Sequence, residues 1–243
     1  MHYAMEYDLS GKVVLITGGT GALGRDVSLE FLKAKALAAI TYVIDEEVNQ
    51  VESKLGELMK NVILLKVDLT DSMQVQKLVA DVLRKYSRID ILANITGGYI
   101  GGKTVTELEE KDWNFMMNLN LKTAFLISKY VIPEMVKQGS GKVIHVAARP
   151  GLKGSGRDSA YVASKSGVIR LVESLSEEVK NKGINVNCIM PSIIYTEANR
   201  KAMPDADFTK WVKTSDIAKV ILFLASDDSK PIHGAAIPVY GLA

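Results

Sequence analysis

Tyr161 and Lys165 are the two residues whose types and spacing most directly suggest chemistry. They are one helical turn apart, so both side chains would lie on the same face of a helix and reach the same ligand. A tyrosine titrates at about pH 10 unaided, but a nearby cation favours its ionised form and lowers its pKa. Such a pair could donate or accept a proton during catalysis. Amphipathic helices also produce Tyr-x-x-x-Lys by chance, so the pair alone favours a structural role.

A glycine-rich segment near the start of the chain is the second candidate site. Glycines let the backbone approach a phosphate closely, and the free N–H groups of a following helix attract its negative charge. A flexible turn is an equally good interpretation of an isolated glycine cluster. This cluster directly follows the first predicted strand of an alternating chain, which favours a nucleotide site. It comprises Thr17, Gly18, Gly19, Thr20, Gly21, Ala22, Leu23 and Gly24.

Strands and helices alternate along the chain and must position these residues. Apolar residues at helical spacing, such as Leu23, Val27 and Phe31, lie between short runs rich in β-branched residues. Strands that are apolar throughout predict an α/β fold with a doubly wound parallel sheet and helices on both faces. Ligands should then bind at the carboxyl ends of the strands. The predicted strands are Lys12–Thr17, Ala38–Val43, Val62–Val67, Ile89–Asn94, Lys142–Ala147, Ile184–Ile189 and Ala235–Val239.

Composition excludes several other classes of protein. The 243 residues are 47% hydrophobic and 24% charged, without repeats or linkers, which predicts a single globular domain over residues 1–243. A net charge of +2, with basic runs that are not interleaved with aromatics, argues against a nucleic-acid partner. The lone Cys188 suits a reducing compartment, so we expect a cytoplasmic protein. No export signal, membrane span or metal-ligand cluster is expected.

The whole chain closely resembles the short-chain dehydrogenase/reductase family. The resemblance implies a Rossmann-type fold and an oxidoreductase that transfers a hydride between NAD or NADP and a small-molecule substrate. It implies that Tyr161 is the catalytic acid or base. Lys165 would bind the nicotinamide ribose and lower the pKa of Tyr161, and Asn120 would help to position a proton-relay water. The residues that carry the resemblance are Thr17-Gly18-x-x-x-Ala22-Leu23-Gly24, Asp68, Asn94, Asn120, Tyr161, Lys165 and the segment Pro191–Thr196.

A cofactor site and an assembly are also implied by this resemblance. Cofactor preference stays open, because Thr41-Tyr42-Val43 offers neither the acid that favours NAD nor the arginine that favours NADP. Asp68 could meet the adenine amino group or cap a helix. Family members are usually homotetramers or homodimers. The resemblance implies that Leu108–Met135 and Tyr161–Val179 would form the contacts, although their apolar residues could equally be buried within one subunit. The residues expected at the cofactor are Gly18, Thr20, Gly21, Ala22, Leu23, Gly24, Tyr42, Asp68, Leu69, Asn94, Gly97, Tyr161, Lys165, Pro191, Ile194 and Thr196.

Three departures from the family pattern stand out. Ala22 replaces a usual glycine, although Gly21 beside it could keep the turn permissive, and Ile95-Thr96 interrupts the usual Asn-Asn-Ala-Gly. The family's substrate-orienting serine lies 13 residues before the tyrosine, where this chain has Ala148. Loss of one such donor to a developing oxyanion typically costs about 10²–10³ in rate.

Dihydropteridine reductase is a family member that works with the tyrosine and lysine but without that serine. This chain is similar to it in Gly97–Gly102 and in Asn199–Phe208 followed by Trp211. The substrate is therefore expected to be pterin-like or a conjugated carbonyl or imine compound. The alternatives are a simple carbonyl reductase or dehydrogenase for 3-ketoacyl, sugar or alcohol substrates, and a non-catalytic redox sensor or assembly subunit. The residues expected at the substrate are Tyr99, Ala148 and Arg149.

Overall fold

A parallel sheet of seven strands runs through the centre of the molecule. The computed structural model describes residues 7–243; the first six residues, part of the segment in which no export signal was expected, lie outside them. All seven predicted strands are present, with ends that differ by one or two residues. Two further strands of two residues each form a small separate sheet that is too short to leave a sequence pattern. The strands are β1 Val13–Thr17, β2 Leu37–Tyr42, β3 Val62–Lys66, β4 Ile91–Asn94, β5 Gly141–Val146, β6 Ile184–Pro191, β7 Ile194–Tyr195, β8 Val212–Lys213 and β9 Ala236–Val239.

Strand order places a crevice next to β1. The order across the sheet is β3-β2-β1-β4-β5-β6-β9, so the chain first builds outward from β1 and then returns to build on its other side. The connections after β1 and β4 therefore diverge, and ligands of doubly wound folds bind at such a point. This is the arrangement predicted from the alternation of strands and helices.

Helices cover both faces of the sheet. In β1, Val13 and Leu15 belong to one apolar core, whereas Val14 and Ile16 belong to the other. Burial on both faces explains why the strands are apolar throughout. Helices α1, α2 and α8 pack on one face, and α3, α5 and α6 pack on the other. The helices are α1 Ala22–Lys33, α2 Glu46–Leu55, α3 Ser72–Tyr86, α4 Glu110–Met116, α5 Thr123–Gln138, α6 Ser159–Val179, α7 Glu197–Ala202 and α8 Thr214–Ala225.

No helix within residues 7–243 has both the length and the hydropathy that a membrane crossing requires. Within the same residues, no group of His, Cys, Asp and Glu side chains is arranged to hold a metal ion.

Candidate active site

One cavity of about 840 Å³ lies at the carboxyl edge of the sheet, and both candidate sites open into it. Its volume falls within the range of pockets that take cofactors and small ligands. The turn end of the cavity consists of the glycine-rich turn, Tyr42–Ile44, Glu47 and Asp68–Thr70; the catalytic end consists of Tyr99, Ala148, Arg149, Asp158, Tyr161 and Lys165.

The glycine-rich turn connects β1 to α1, and close packing holds its shape. Gly18 adopts the left-handed conformation, with φ of 61°. A Cβ on Gly24 would lie only 2.1 Å from the Gly18 carbonyl oxygen, so only glycine lets α1 pack this closely on the turn. Helix α1 begins at Ala22, which explains why alanine is tolerated there. The suggestion that Gly21 keeps the turn permissive is wrong, since its φ is −67° and a Cβ would have ordinary room.

Asp68 follows β3 and lines the turn end of the cavity. Its Oδ1 accepts hydrogen bonds from the backbone N–H and the hydroxyl of Thr70, at 2.8 and 2.7 Å. The cap of α3 is instead Asp71, whose carboxylate accepts from the N–H groups of Met73 and Gln74. The structure therefore excludes the interpretation of Asp68 as a helix cap and leaves it facing the cavity.

Tyr161 lies in the first turn of α6, with its ring against the edge of another phenol. The Tyr99 and Tyr161 ring centroids are 4.9 Å apart with the planes at 87°. The pKa of Tyr161 is raised to about 12, mainly by burial and in smaller part by the Tyr99 phenol and the Asp158 carboxylate. The sequence predicted the opposite direction, from the proximity of Lys165. In the protein alone, desolvation of the phenolate decides the sign.

Lys165 is buried one turn further along α6. Its Nζ donates a hydrogen bond of 2.9 Å to the carbonyl oxygen of Val146, at the end of β5. Burial lowers the pKa of Lys165 to about 8. The ammonium is thus tethered at the edge of the sheet and still largely protonated at neutral pH.

Asn120 does not line the cavity, in contrast to the other predicted catalytic residues. It sits in a π-helical turn, Met117–Lys122, between α4 and α5. Its Oδ1 accepts from the Gly98 N–H at 2.9 Å, and its Nδ2 donates to the Gly98 carbonyl at 3.1 Å and to the Ser164 hydroxyl at 3.0 Å. Its carboxamide therefore clamps the loop after β4 to α6.

Asn94 also lies behind the cavity wall, so the structure does not support its expected contact with the cofactor. The Thr17 hydroxyl donates to Asn94 Oδ1 at 2.5 Å, and Asn94 Nδ2 donates to His145 Nδ1 at 3.0 Å. The other ring nitrogen of His145 bonds the Ser128 hydroxyl at 3.0 Å. Through these two hydrogen bonds, Asn94 on β4 links β1 and β5 beneath the turn.

Comparison with known proteins identifies the family. The family model for short chain dehydrogenase matches residues 12–207. The chain belongs to the short-chain dehydrogenase family. A 3-oxoacyl-(acyl-carrier-protein) reductase FabG from Thermotoga maritima is 31% identical over 241 residues, covering 96% of this chain and 98% of that protein. An NAD-dependent glycerol dehydrogenase from Listeria innocua is 29% identical over 245 residues, covering 97% and 95%. The solved structure of ElxO with NADP bound has 30% identity and a TM-score of 0.89, covering 95% and 97%.

Short-chain dehydrogenases are oxidoreductases that bind NAD or NADP, and the residues of this chain fit a dinucleotide. The loop after β4 approaches the catalytic residues closely, because a Cβ on Gly97 would lie 2.9 Å from Asn120 Oδ1 and 3.0 Å from Lys165 Nζ. Beside it, Thr96 lines the cavity, and its buried hydroxyl has no hydrogen-bond partner among the described residues. Glycine at the wall and a free hydroxyl both suit a polar ligand that passes along this loop.

All but one of the sixteen residues expected at the cofactor line the cavity, Asn94 being the exception. Among them, Pro191 and Ile194 border the cavity near the end of β6. Thr196 lines it too, and its hydroxyl accepts from the Asn199 N–H at 3.2 Å, so it also caps α7.

The catalytic end of this short-chain dehydrogenase contains the three residues expected at the substrate. Ala148 is 4% exposed and precedes a short 3₁₀ turn, Arg149–Leu152. Arg149 donates to the Ala243 carbonyl at 2.6 Å and covers the Tyr240 ring. Tyr99 is 62% exposed at the mouth. Ala148 therefore offers no side-chain hydroxyl to the cavity at this position, as the sequence indicates.

Sequence reasoning missed Asp158 as a residue that lines the cavity. Asp158 lines the cavity and accepts from the Tyr99 hydroxyl at 2.8 Å. Its position three residues before Tyr161, directly before the start of α6, could have revealed it. In the segment after β7, Asn199 and Met203 line the cavity, whereas Trp211 packs on Phe208 away from it.

Proposed function

We propose that this short-chain dehydrogenase transfers a hydride between NAD(P) and a pterin-like or otherwise conjugated carbonyl or imine compound, with Tyr161 as the proton donor. The observation that carries the proposal is the shared cavity: Tyr161 and Lys165 face the same space as the glycine-rich turn, beside a wall at Ala148 that has no hydroxyl.

The bound nicotinamide would supply the hydride. Tyr161 would supply the proton, because burial keeps its pKa at about 12 and the phenol is protonated at neutral pH. Lys165, with a pKa of about 8, retains an ammonium that can hold a ribose hydroxyl. Asn120 would act through the loop that it clamps. These protonation states favour reduction of the substrate.

Ala148 favours a conjugated substrate. A simple ketone concentrates negative charge on one oxygen as the hydride arrives, and one missing donor to that oxygen costs about 10²–10³ in rate. A conjugated imine or quinonoid ring spreads the charge over several atoms, so it depends less on a single donor.

Restoring the hydroxyl tests this proposal. Ala148→Ser should change turnover of a quinonoid dihydropterin by less than about twofold, whereas a dependence on the missing donor would raise it by about 10²-fold. The matched assay uses a 3-ketoacyl thioester, with Tyr161→Phe as the inactive control. If the wild type reduced the thioester efficiently and did not react with the pterin, the proposal of a conjugated substrate would be overturned.

A simple carbonyl reductase is the second candidate, because relatives that cover nearly the whole chain are 3-oxoacyl reductases and a glycerol dehydrogenase. It predicts that Ala148→Ser markedly improves turnover of a ketone.

A non-catalytic nucleotide-binding protein is the third candidate. It would bind the cofactor but transfer no hydride to a ketone, quinone or pterin. The presence of both Tyr161 and Lys165 in the cavity argues against this third candidate.

We also propose a homotetramer or homodimer. Exposed aromatic side chains on α4 and α5, Phe115 and Phe125 among them, support it because large apolar groups at the surface often mark subunit contacts. Light scattering of the purified protein tests it, and a monomer at micromolar concentration would contradict it.

A further inference from the structure

Two acidic side chains, Glu47 and Asp68, line the turn end of the cavity, and Glu47 is the one that is hydrogen-bonded to the glycine-rich turn. Glu47 lies in the first turn of α2 and lines the cavity. Its Oε2 accepts a hydrogen bond of 2.6 Å from the hydroxyl of Thr20, a buried residue of the glycine-rich turn. The bond fixes a negative charge beside the segment that receives the pyrophosphate and the adjoining ribose in dinucleotide-binding folds.

No lysine or arginine offsets this charge among the described residues that line the turn end. Lys66, at the end of β3, forms an ion pair with Asp45 outside the lining. Arg25 donates to the carbonyl of Thr20 at 2.6 Å and also lies outside it. The lysine and the arginine that do line the cavity belong to its catalytic end.

The end of β2 carries no charge of its own. Selection between the two cofactors usually rests there on an acid, which favours NAD, or on a nearby arginine, which favours NADP. Here Tyr42, Val43 and Ile44 line the cavity, and the two aliphatic side chains are exposed. The charge beside the ribose region is therefore supplied by α2.

We propose that Glu47, held by Thr20, makes this short-chain dehydrogenase select NAD(H) over NADP(H), an inference that rests on the proposed function. A free ribose hydroxyl can donate a hydrogen bond to a carboxylate. A phosphate in its place meets a like charge with no cation to neutralise it, which is a repulsive element against the wrong ligand. The family does not decide the choice, since its members include an NAD-dependent glycerol dehydrogenase and ElxO with NADP bound.

Isothermal titration calorimetry of the full chain with NADH and with NADPH tests the role of Glu47 without any substrate. The wild type should bind NADH at least about 10-fold more tightly than NADPH. Glu47→Gln should shrink this ratio at least about fivefold, mainly through tighter NADPH binding. Thr20→Val, which releases the carboxylate, should shrink it less. Glu46→Gln is the matched control, because Glu46 is an exposed neighbour on α2 that does not line the cavity.

The outcomes separate this inference from the proposed function. Binding of neither dinucleotide would overturn the proposed function itself. Three results would overturn only the role of Glu47. The wild type could bind both dinucleotides equally, it could bind NADPH more tightly, or the ratio of NADH to NADPH affinity could stay the same in Glu47→Gln as in Glu46→Gln. Thermal melting of each variant shows whether it is folded, and Thr20→Val provides a second reading if Glu47→Gln is unstable.

Discussion

The two ends of the cavity are built from different parts of the chain. At the turn end, the backbone determines the shape of the site. Gly18 is left-handed, and Gly24 packs closely against the Gly18 carbonyl, which fixes the loop at the start of α1. At the catalytic end, side chains set the chemistry, with Tyr161 beside Tyr99 and a wall at Ala148. Backbone geometry suits a ligand part that all relatives share, whereas side chains can vary with the substrate.

Removal of the phenolic hydroxyl is the sharpest way to separate the two ends. Tyr161→Phe should lower turnover about 10²–10⁴-fold, because it removes the proton donor. The affinity for NADH should change little, since the turn end is untouched. Stopped-flow turnover and a fluorescence titration measure the two quantities, and an equal loss in both would show that the ends are not independent.

The glycine-rich turn and the Tyr161–Lys165 pair were the easier parts to predict because their signals are local. The glycine cluster and the strand before it are adjacent in sequence, and so are Tyr161 and Lys165 on one helix. The hydrogen bonds of Asn94 could not be predicted, because its partners, Thr17 and His145, are far away in sequence. Only the register of β1, β4 and β5 brings those three residues together.

The same limit applies to electrostatics. The sequence predicts that Lys165 lowers the pKa of Tyr161, but it contains no measure of how deeply the phenol is buried. In the folded chain the ammonium is tethered to Val146, and desolvation raises that pKa instead. Likewise, Glu47 is one of several acids in a charged segment until the fold brings it to Thr20.

The buried chain of hydrogen bonds beneath the turn predicts a pH-dependent stability. Burial lowers the pKa of His145 to about 4, whereas an unfolded histidine has a pKa of about 6.5. The unfolded state therefore binds a proton first as pH falls. Stability from this group is complete above pH 6.5 and should decrease by roughly 3 kcal/mol as the pH falls to 4.

Urea unfolding between pH 7 and 4.5 measures the effect of His145. His145→Gln should remove most of the slope, and His233→Gln, at an exposed site outside this chain of hydrogen bonds, should retain it. A wild-type slope equal to that of His145→Gln would contradict the prediction.

A methyl group at Gly24 probes the turn end directly. Because its Cβ would meet the Gly18 carbonyl oxygen at 2.1 Å, Gly24→Ala should destabilise the fold by about 1–3 kcal/mol and weaken NADH binding. Gly21→Ala is the matched control for stability, since the nearest atom to its Cβ would be 3.5 Å away. Equal melting temperatures for the two variants would show that the turn adjusts without cost.

The smallest expected effect concerns Asp158 at the catalytic end. Its carboxylate adds to burial in raising the pKa of Tyr161, so Asp158→Asn should lower that pKa. Burial is the larger cause and remains, so the shift should be less than about one pH unit. The high-pH limb of the Tyr161 phenolate titration, isolated by subtracting the absorbance of Tyr161→Phe, should move to lower pH by this amount, while NADH affinity stays unchanged. Asp205→Asn, at an exposed site outside the cavity lining, is the control. An unchanged limb in Asp158→Asn would mean that solvent screens the carboxylate from the phenol, and that the pKa of Tyr161 is set by burial and Tyr99.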